Sequence, residues 1–413
     1  MQEILNWLNS RIGLNFRSGL ERVRVAAWLL GNPQEAYPII HVTGTNGKGS
    51  TIAFMRELFQ AQGKKVATFT SPHMVSIHDR ICINAQPISD EDFVRLAKDI
   101  QIMEKKLVKT QAPLSYFEIL TLLAWLYFRE QKVDLCLLEV GIGGLLDTTN
   151  IVTGEIAVIT SVGLDHQETL GTTVEEIAAQ KAGIFKAGKK AVVGPLPKLA
   201  LQVCEECAKK LGTELLVYGK DFSMINARDF VIEDFYLPDL DLGLSGAYQA
   251  ENAAVALEAF LLFIHNLGET VDNSLIRQAL SATRWAGRLE SFGEQIILDG
   301  AHNLPAMKGL VDFIKQEKNR SITVLFGALK RKDYSQMLDY LQRELPDVNL
   351  FVTTFSYDGS LEKADVKKLT FVENYEKFVE NYLENRKKED LLFITGSLYF
   401  IAEVRKWLLN QSF

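Results

Sequence analysis

Seven residues near the amino end carry the plainest chemistry in the chain: Gly44-Thr45-Asn46-Gly47-Lys48-Gly49-Ser50. Glycines let the backbone N–H groups turn toward one point, a following helix aims its N-terminus at the same point, and Lys48 adds a positive charge. A nucleotide triphosphate is the guest such a loop suits. The ordinary phosphate-loop pattern places a glycine six residues before the lysine and Ser or Thr directly after it. Val42 and Gly49 stand there instead, so a plain glycine-rich turn remains the alternative.

Further candidates stand at the ends of apolar runs. Glu139 is the lone acid closing the run from Val133 to Val140. A buried carboxylate is costly unless paired or bound to a cation, so Glu139 is read as a magnesium ligand. Pro72 stops the run from Lys65 to Thr70 and presents Ser71 and His73 at its carboxyl end, where open α/β sheets keep their ligands. His166 follows the run from Ile156 to Val162 and suits either a structural hydrogen bond or a ligand. Lys181, in a helical segment, reads as a solvated cation or a phosphate contact. Gly141-Ile142-Gly143-Gly144 is only G-x-G-G, with no dinucleotide helix and no acid at the right distance.

The elements that must hold these groups alternate. An apolar run from Tyr37 to Val42 precedes the glycine loop, and helical spacing from Thr51 to Gln62 follows it, with Gly63 as the stop. Strand-like runs recur at Val133–Val140, Ile156–Val162, Ala191–Val193 and Leu215–Tyr218, with helical segments between; Thr173 with Glu176 and Ser89 with Asp92 read as helix caps. Regularity fades between Asp221 and Leu244. A second alternating set follows Gln295, which places a domain boundary near residue 290, giving 1–290 and 291–413.

Composition sets the broad class. With 413 residues and 47% hydrophobic content the chain is globular and long enough for two or three domains. It has neither a membrane-spanning run nor a secretory leader, so a cytoplasmic protein is expected. A net charge of −7 argues against nucleic acid or anionic membrane as a partner. Cys204 and Cys207 lack a second pair or a nearby His, and all four cysteines are expected as free thiols.

GTNGKGS resembles the loop of the Mur ligase superfamily, ATP-dependent amide-forming enzymes, and within it the folylpolyglutamate synthase branch. Other segments are similar in order: Gly19 to Val23 with Arg22, TSPH with Ser71 and His73, Ser115 to Glu118 with Tyr116 and Phe117, Gly163-Leu164-Asp165-His166, and Lys181-Ala182-Gly183-Ile184. Asn252 lies in an N-A-x-x-A helix, Arg288 in a W-x-G-R-L-E hinge, Asp299 and His302 in LDGAHN, and Ser397 in a Thr-Gly-Ser segment. The resemblance implies an α/β fold: a Mur-ligase-like P-loop domain with a mostly parallel sheet, plus a smaller Rossmann-like C-terminal α/β domain. It also implies a monomer.

The implied activity adds L-glutamate to a folate, or to dihydropteroate, through an acyl phosphate made with ATP and two magnesium ions. The implied ATP-binding residues are Gly44, Thr45, Asn46, Gly47, Lys48, Gly49, Ser50, Asn252, Arg288 and Asp299. Ser71, Glu139, His166 and a carbamylated Lys181 would hold metal. Arg22, His73, Tyr116, Phe117 and Asp147 would meet the folate, and His302 and Ser397 the glutamate, with Lys48, Lys181 and His302 catalytic. Two departures stand out. Leu145 replaces the arginine of the usual GGRLDATN, and Arg331 reverses a charge in Lys330-Arg331-Lys332-Asp333, usually KDKD. Another Mur-type amino-acid ligase, or a nucleotide-binding relative without catalysis, are the alternative readings.

Overall fold

The computed structural model describes residues 1–14, 19–233, 235–331, 333–366 and 369–411; Lys332 of the charge-reversed segment lies outside them. Contacts divide the chain into two compact units. The first comprises Met1–Ser71, Ile77–Gly243 and Ala250–Thr283; the second comprises Pro72–Ser76, Leu244–Gln249 and Arg284–Phe413.

The first unit begins with helices α1 (Gln2–Asn9) and α2 (Glu21–Leu29), then β1 (Ile39–Thr43), α3 (Lys48–Ala61), β2 (Val66–Phe69), β3 (Ile81–Ile83) and β4 (Gln86–Pro87). Next come α4 (Asp90–Leu107), α5 (Tyr116–Glu130), β5 (Leu135–Glu139), β6 (Ile156–Ile159), α6 (Gln167–Leu170), α7 (Val174–Ala182), β7 (Lys190–Val193), α8 (Lys198–Leu211) and β8 (Glu214–Val217). The eight strands form one sheet in the order β4-β3-β2-β5-β1-β6-β7-β8. It is parallel from β2 to β8 and antiparallel only at the β3 and β4 edge. β1 and β5 are buried at every position, as strands of a parallel sheet covered on both faces are, and the buried His41 in β1 bonds Thr149 Oγ1 at 2.8 Å. Apolar clusters lie against it: Phe69, Trp125 and Phe128 in one, Ile159, Ile177 and Val193 in another.

Helix starts follow local chemistry. Ser89 caps α4 by accepting from Asp92 N at 3.1 Å, and capping boxes start α5 (Ser115 with Glu118) and α7 (Thr173 with Glu176). The irregular stretch after Asp221 turns out to be ordered: β9 (Phe222–Ile225), β10 (Asp229–Ile232) and β11 (Phe235–Leu237) make a separate antiparallel sheet. Helices α9 (Tyr248–Asn266) and α10 (Asn273–Ala282) follow.

The second unit contains β12 (Glu290–Phe292), β13 (Ile296–Asp299), α11 (Leu304–Ile314), β14 (Ser321–Gly327), α12 (Tyr334–Glu344), β15 (Asn349–Thr353), β16 (Thr370–Val372), α13 (Tyr375–Asn385), β17 (Asp390–Gly396) and α14 (Leu398–Leu409). Its six-stranded sheet runs β12-β13-β17-β14-β15-β16 and is parallel except at β12. Both units are thus mostly parallel α/β sheets, as the sequence implied. All four cysteines are free. No helix among the described residues is long and apolar enough to cross a membrane.

Candidate active site

The first unit gathers its polar groups where β1, β5 and β6 end side by side. The loop after β1 rises to Gly47, whose φ of 87° is left-handed, and α3 starts at Lys48. A Cβ on Gly47 would stand 2.3 Å from Asn252 Oδ1, and one on Gly44 would stand 1.9 Å from Thr160 Oγ1. Glycine is therefore required at both places, by sterics at each and by backbone conformation at Gly47. The next strand clamps the loop. Thr160 Oγ1 donates to Asn46 O at 2.5 Å, Ser161 Oγ accepts from Asn46 N and donates to Asn46 O at 2.9 Å each, and Thr45 N donates to Ser161 O at 3.0 Å. The N-terminus of α3 consequently points its N–H groups out of a fixed cradle.

Lys48 Nζ donates to its own loop's Gly44 O at 3.0 Å and lies 3.9 Å from Glu139 Oε1. Glu139, only 4% exposed, accepts from Ser71 N through its other oxygen at 2.8 Å. The strand-tip acid, the residue at the tip of β2 and the loop lysine are thus one cluster. Lys181 is 2% exposed near the end of α7. Burial pushes its amine down to about 7, with the charge of Lys48 adding to the fall and Asp165 opposing it. His166, next to Asp165, has a left-handed φ of 51° and a side chain 42% exposed, with Nε2 4.0 Å from Asp165 Oδ2.

On the other side of β5, Phe117 stacks tilted on Phe69 at 5.6 Å, and Tyr116 lies under the Arg80 guanidinium at 5.9 Å. Two residues expected at the folate also bond within the protein. Arg22 makes a buried two-pronged ion pair with Glu118, at 2.8 to 3.1 Å. Asp147 accepts from Ile142 N, Thr149 N and Thr149 Oγ1 at 2.6 to 3.0 Å, and burial holds its carboxyl above the usual range despite those donors. Both therefore fix the elements around the site. His73 groups with the second unit.

The second unit has its own cluster at the carboxyl ends of β13 and β17. Asp299 is buried and its carboxyl is raised to about 6 by desolvation, which Arg288 and the Leu289 N–H at 3.0 Å partly offset. Arg288 donates to Gly287 O at 3.1 Å. His302 Nδ1 lies 2.9 Å from Gly300 O; only a protonated Nδ1 can bond a carbonyl, so Nε2 carries the lone pair in the neutral ring. Ser397 caps α14, its N donating to Gly327 O at 2.7 Å.

Known proteins resemble this chain over nearly its whole length. The chain matches the Mur ligase middle domain over residues 42–260 and the Mur ligase glutamate ligase domain over residues 287–398. It is 35% identical to the dihydrofolate synthase/folylpolyglutamate synthase of Bacillus subtilis, covering 98% of this chain and 99% of that one. It is 34% identical to the folylpolyglutamate synthase of Lacticaseibacillus casei, covering 94% of each. The chain belongs to the folylpolyglutamate synthase and dihydrofolate synthase family of Mur ligases. Among solved structures, the apo form of L. casei FPGS aligns with a TM-score of 0.89 at 33% identity, covering 99% of both chains. An FPGS-AMPPCP-folate complex aligns with a TM-score of 0.88 at 33% identity and the same coverage.

Within this Mur ligase frame, sequence reasoning passed over Thr160 and Ser161, the clamp on the loop. Their signal was present: two hydroxyl residues at the tip of an apolar strand. It also passed over Asn150, whose Nδ2 donates to Leu145 O and Gly183 O at 3.0 Å each and ties the loop after β5 to the end of α7. It also passed over Tyr248, whose hydroxyl is pushed up by burial and by Asp299. Among the described residues no three His, Cys, Asp or Glu side chains form a metal cage. The expected donor sets draw on a serine hydroxyl and a modified lysine, which lie outside those four residue types.

Proposed function

We propose that the protein is an ATP-dependent ligase that joins L-glutamate to a folate-type acceptor, either a reduced folate or dihydropteroate. The observation that carries this reading is the clamped phosphate loop whose Lys48 faces a buried strand-tip acid, Glu139, in a chain alike over its full length to enzymes of that name. The γ-phosphoryl group of ATP passes to the acceptor carboxylate, giving an acyl phosphate and ADP. The amine of glutamate attacks that carbonyl, phosphate leaves, and the nitrogen loses a proton.

The loop amides and Lys48 bind the phosphate oxygens, with Asn252 against the loop at Gly47. Lys181 is suited to carbamylation, because an amine held at about 7 is half neutral at that pH. The neutral amine adds to carbon dioxide and releases a proton, leaving a carbamate anion. Glu139, Ser71, His166 and that carbamate supply oxygen donors and one imidazole, a set that fits two magnesium ions. Those ions would neutralise charge on the phosphoryl oxygens. Tyr116, Phe117, His73, Arg22 and Asp147 are assigned to the folate, with the bonds of Arg22 and Asp147 also holding the elements around it.

In the second unit, Arg288 and Asp299 are assigned to the nucleotide, and His302 and Ser397 to glutamate. His302 Nε2 would orient the attacking amine or take its proton. We assign nucleotide activation to residues 1–290 and amino-acid binding to 291–413, in a monomeric cytoplasmic enzyme; light scattering and cell fractionation test the last two points.

The direct test is ADP release with ATP and glutamate, expected only when tetrahydrofolate or dihydropteroate is added. Release with a UDP-muramoyl acceptor and none with either pterin would favour a different Mur-type ligase. Unchanged function in cells on Glu139→Ala would favour a nucleotide-binding protein without catalysis.

A further inference from the structure

The loop after β5 reads Gly141-Ile142-Gly143-Gly144-Leu145-Leu146-Asp147 and contains no cation. Its backbone is held along its length. Thr43 Oγ1 donates to Gly143 O at 2.6 Å, Leu145 N donates to Gln180 O at 2.7 Å, and Asn150 Nδ2 donates to Leu145 O at 3.0 Å. Asp147 accepts from Ile142 N at 3.0 Å. These ties fix the loop's backbone, and Leu145 rests on the end of α7, where a Cβ on Gly183 would lie 2.5 Å from Leu145 Cβ and 2.9 Å from its Cδ1. Yet Leu145 and Leu146 stand 44% and 43% exposed, a fixed apolar surface beside a polar site.

The loop also runs between two landmarks. At its start the Phe117 ring fills the place a side chain would take: a Cβ on Gly141 would lie 2.9 Å from Phe117 Cε1 and 3.0 Å from Asp147 Oδ2. At its middle it sits on the end of α7, where a Cβ on Gly144 would lie 2.7 Å from Gln180 O and 3.0 Å from Lys181 O. An acceptor whose rings pack at Phe117 and whose reacting carboxylate reaches toward Lys181 must lie along this loop.

We infer that Leu145 and Leu146 select the acceptor by its linker: an aromatic linker ending in the single reacting carboxylate is accepted better than one carrying further glutamyl carboxylates. This rests on the ligase reading above and names the acceptor class for the same site. Leucine packs on an aminobenzoyl ring but gives a tail carboxylate nothing in return for lost water. The arginine that the family pattern places at 145 would give such a carboxylate a charged, two-pronged partner. This chain therefore favours dihydropteroate over glutamylated folates.

The test compares kcat/KM for dihydropteroate and for tetrahydrofolate bearing one, two or three glutamates, in the wild-type protein and in Leu145→Arg. In the wild type, kcat/KM falls as glutamates are added. In Leu145→Arg the ratio of triglutamate to dihydropteroate rises roughly tenfold, the value of one charge-assisted hydrogen bond, and the KM for ATP holds. An unchanged ratio in a folded Leu145→Arg protein overturns the inference. So does a wild-type preference for the triglutamate, which decides the matter even where the variant does not fold. No ADP release with any pterin would instead remove the underlying ligase reading, a distinct outcome.

Discussion

Lys181 offers the sharpest quantitative prediction, because burial and a neighbouring charge act on it in the same direction. An ordinary lysine, at 10.5, is about 0.03% neutral at pH 7. Held at about 7, Lys181 is half neutral, so free amine is on the order of a thousand times more abundant. Carbon dioxide reacts only with that form. In 13C-bicarbonate at pH 7.5 the wild-type protein should show a carbamate carbon resonance, absent in Lys181→Met. Lys48→Met removes the second cause of the fall, raises the amine's pKa and weakens the resonance. Short carboxylic acids should restore activity to Lys181→Ala by supplying the missing oxygens. The reasoning is refuted if no resonance appears between pH 7.5 and 8.5 at saturating bicarbonate. Stability must follow the same shift. Between pH about 7 and 10.5 the unfolded chain holds a proton that the folded chain lacks, so this group's contribution to stability rises with pH across that window. Lys181→Met should therefore stabilise the fold most below pH 7, by at most on the order of 5 kcal/mol.

Four further outcomes can be measured. Gly47→Ala combines a left-handed φ with a Cβ 2.3 Å from Asn252 Oδ1, so the KM for ATP should rise at least about tenfold; Gly47→Ala with Asn252→Ala should not recover fully, and a wild-type KM in the single variant would contradict the steric argument. Thr160→Val removes the 2.5 Å bond to Asn46 O and should raise the KM for ATP about fivefold with little change in thermal midpoint, the value of one lost hydrogen bond. Arg22→Met leaves the buried Glu118 carboxylate without its counter-charge and should cost about 3–5 kcal/mol in denaturant melts, whereas Arg22→Met with Glu118→Met should recover part of it, since the second change also removes the capping bond from Ser115 N; equal losses would argue against a buried pair. For Asp299, raised to about 6, the folded chain holds the extra proton, so its contribution to stability falls as pH rises from about 4 to about 6. Asp299→Asn should accordingly raise the thermal midpoint at pH 7.5 more than at pH 4.5, and the reverse order would refute the assignment.

The parallel core was legible because a strand covered on both faces must be largely apolar, as Leu135 to Leu138 are; in β1 only the buried His41, bonded to Thr149 Oγ1 at 2.8 Å, interrupts Ile39 to Val42. The hairpins were not. Two tight turns use Asn84-Ala85 and Asn226-Ala227, all four residues at positive φ. Such turns usually announce themselves with Asn-Gly; alanine in the second place hides the signal, and with it the β3–β4 edge and the β9–β10 pairing. Linear reading also cannot see that Pro72–Ser76 and Leu244–Gln249 group with Arg284–Phe413, since such grouping depends on contacts made far along the chain. In the site, Glu139 declared itself because a lone acid in an apolar run demands a reason. What did not show in the sequence was that Arg22 also pairs with Glu118 and that Asp147 accepts from the Thr149 hydroxyl and amide. Sequence gives the types of charged groups but not which pairs meet.

Oxygen tracing reaches the central claim most directly. With acceptor whose reacting carboxylate carries 18O at both oxygens, ATP and glutamate, an acyl phosphate requires that one carboxylate oxygen leave on phosphorus, so each inorganic phosphate released with the new amide should carry a single 18O atom. Amide product accompanied by unlabelled phosphate would contradict the account.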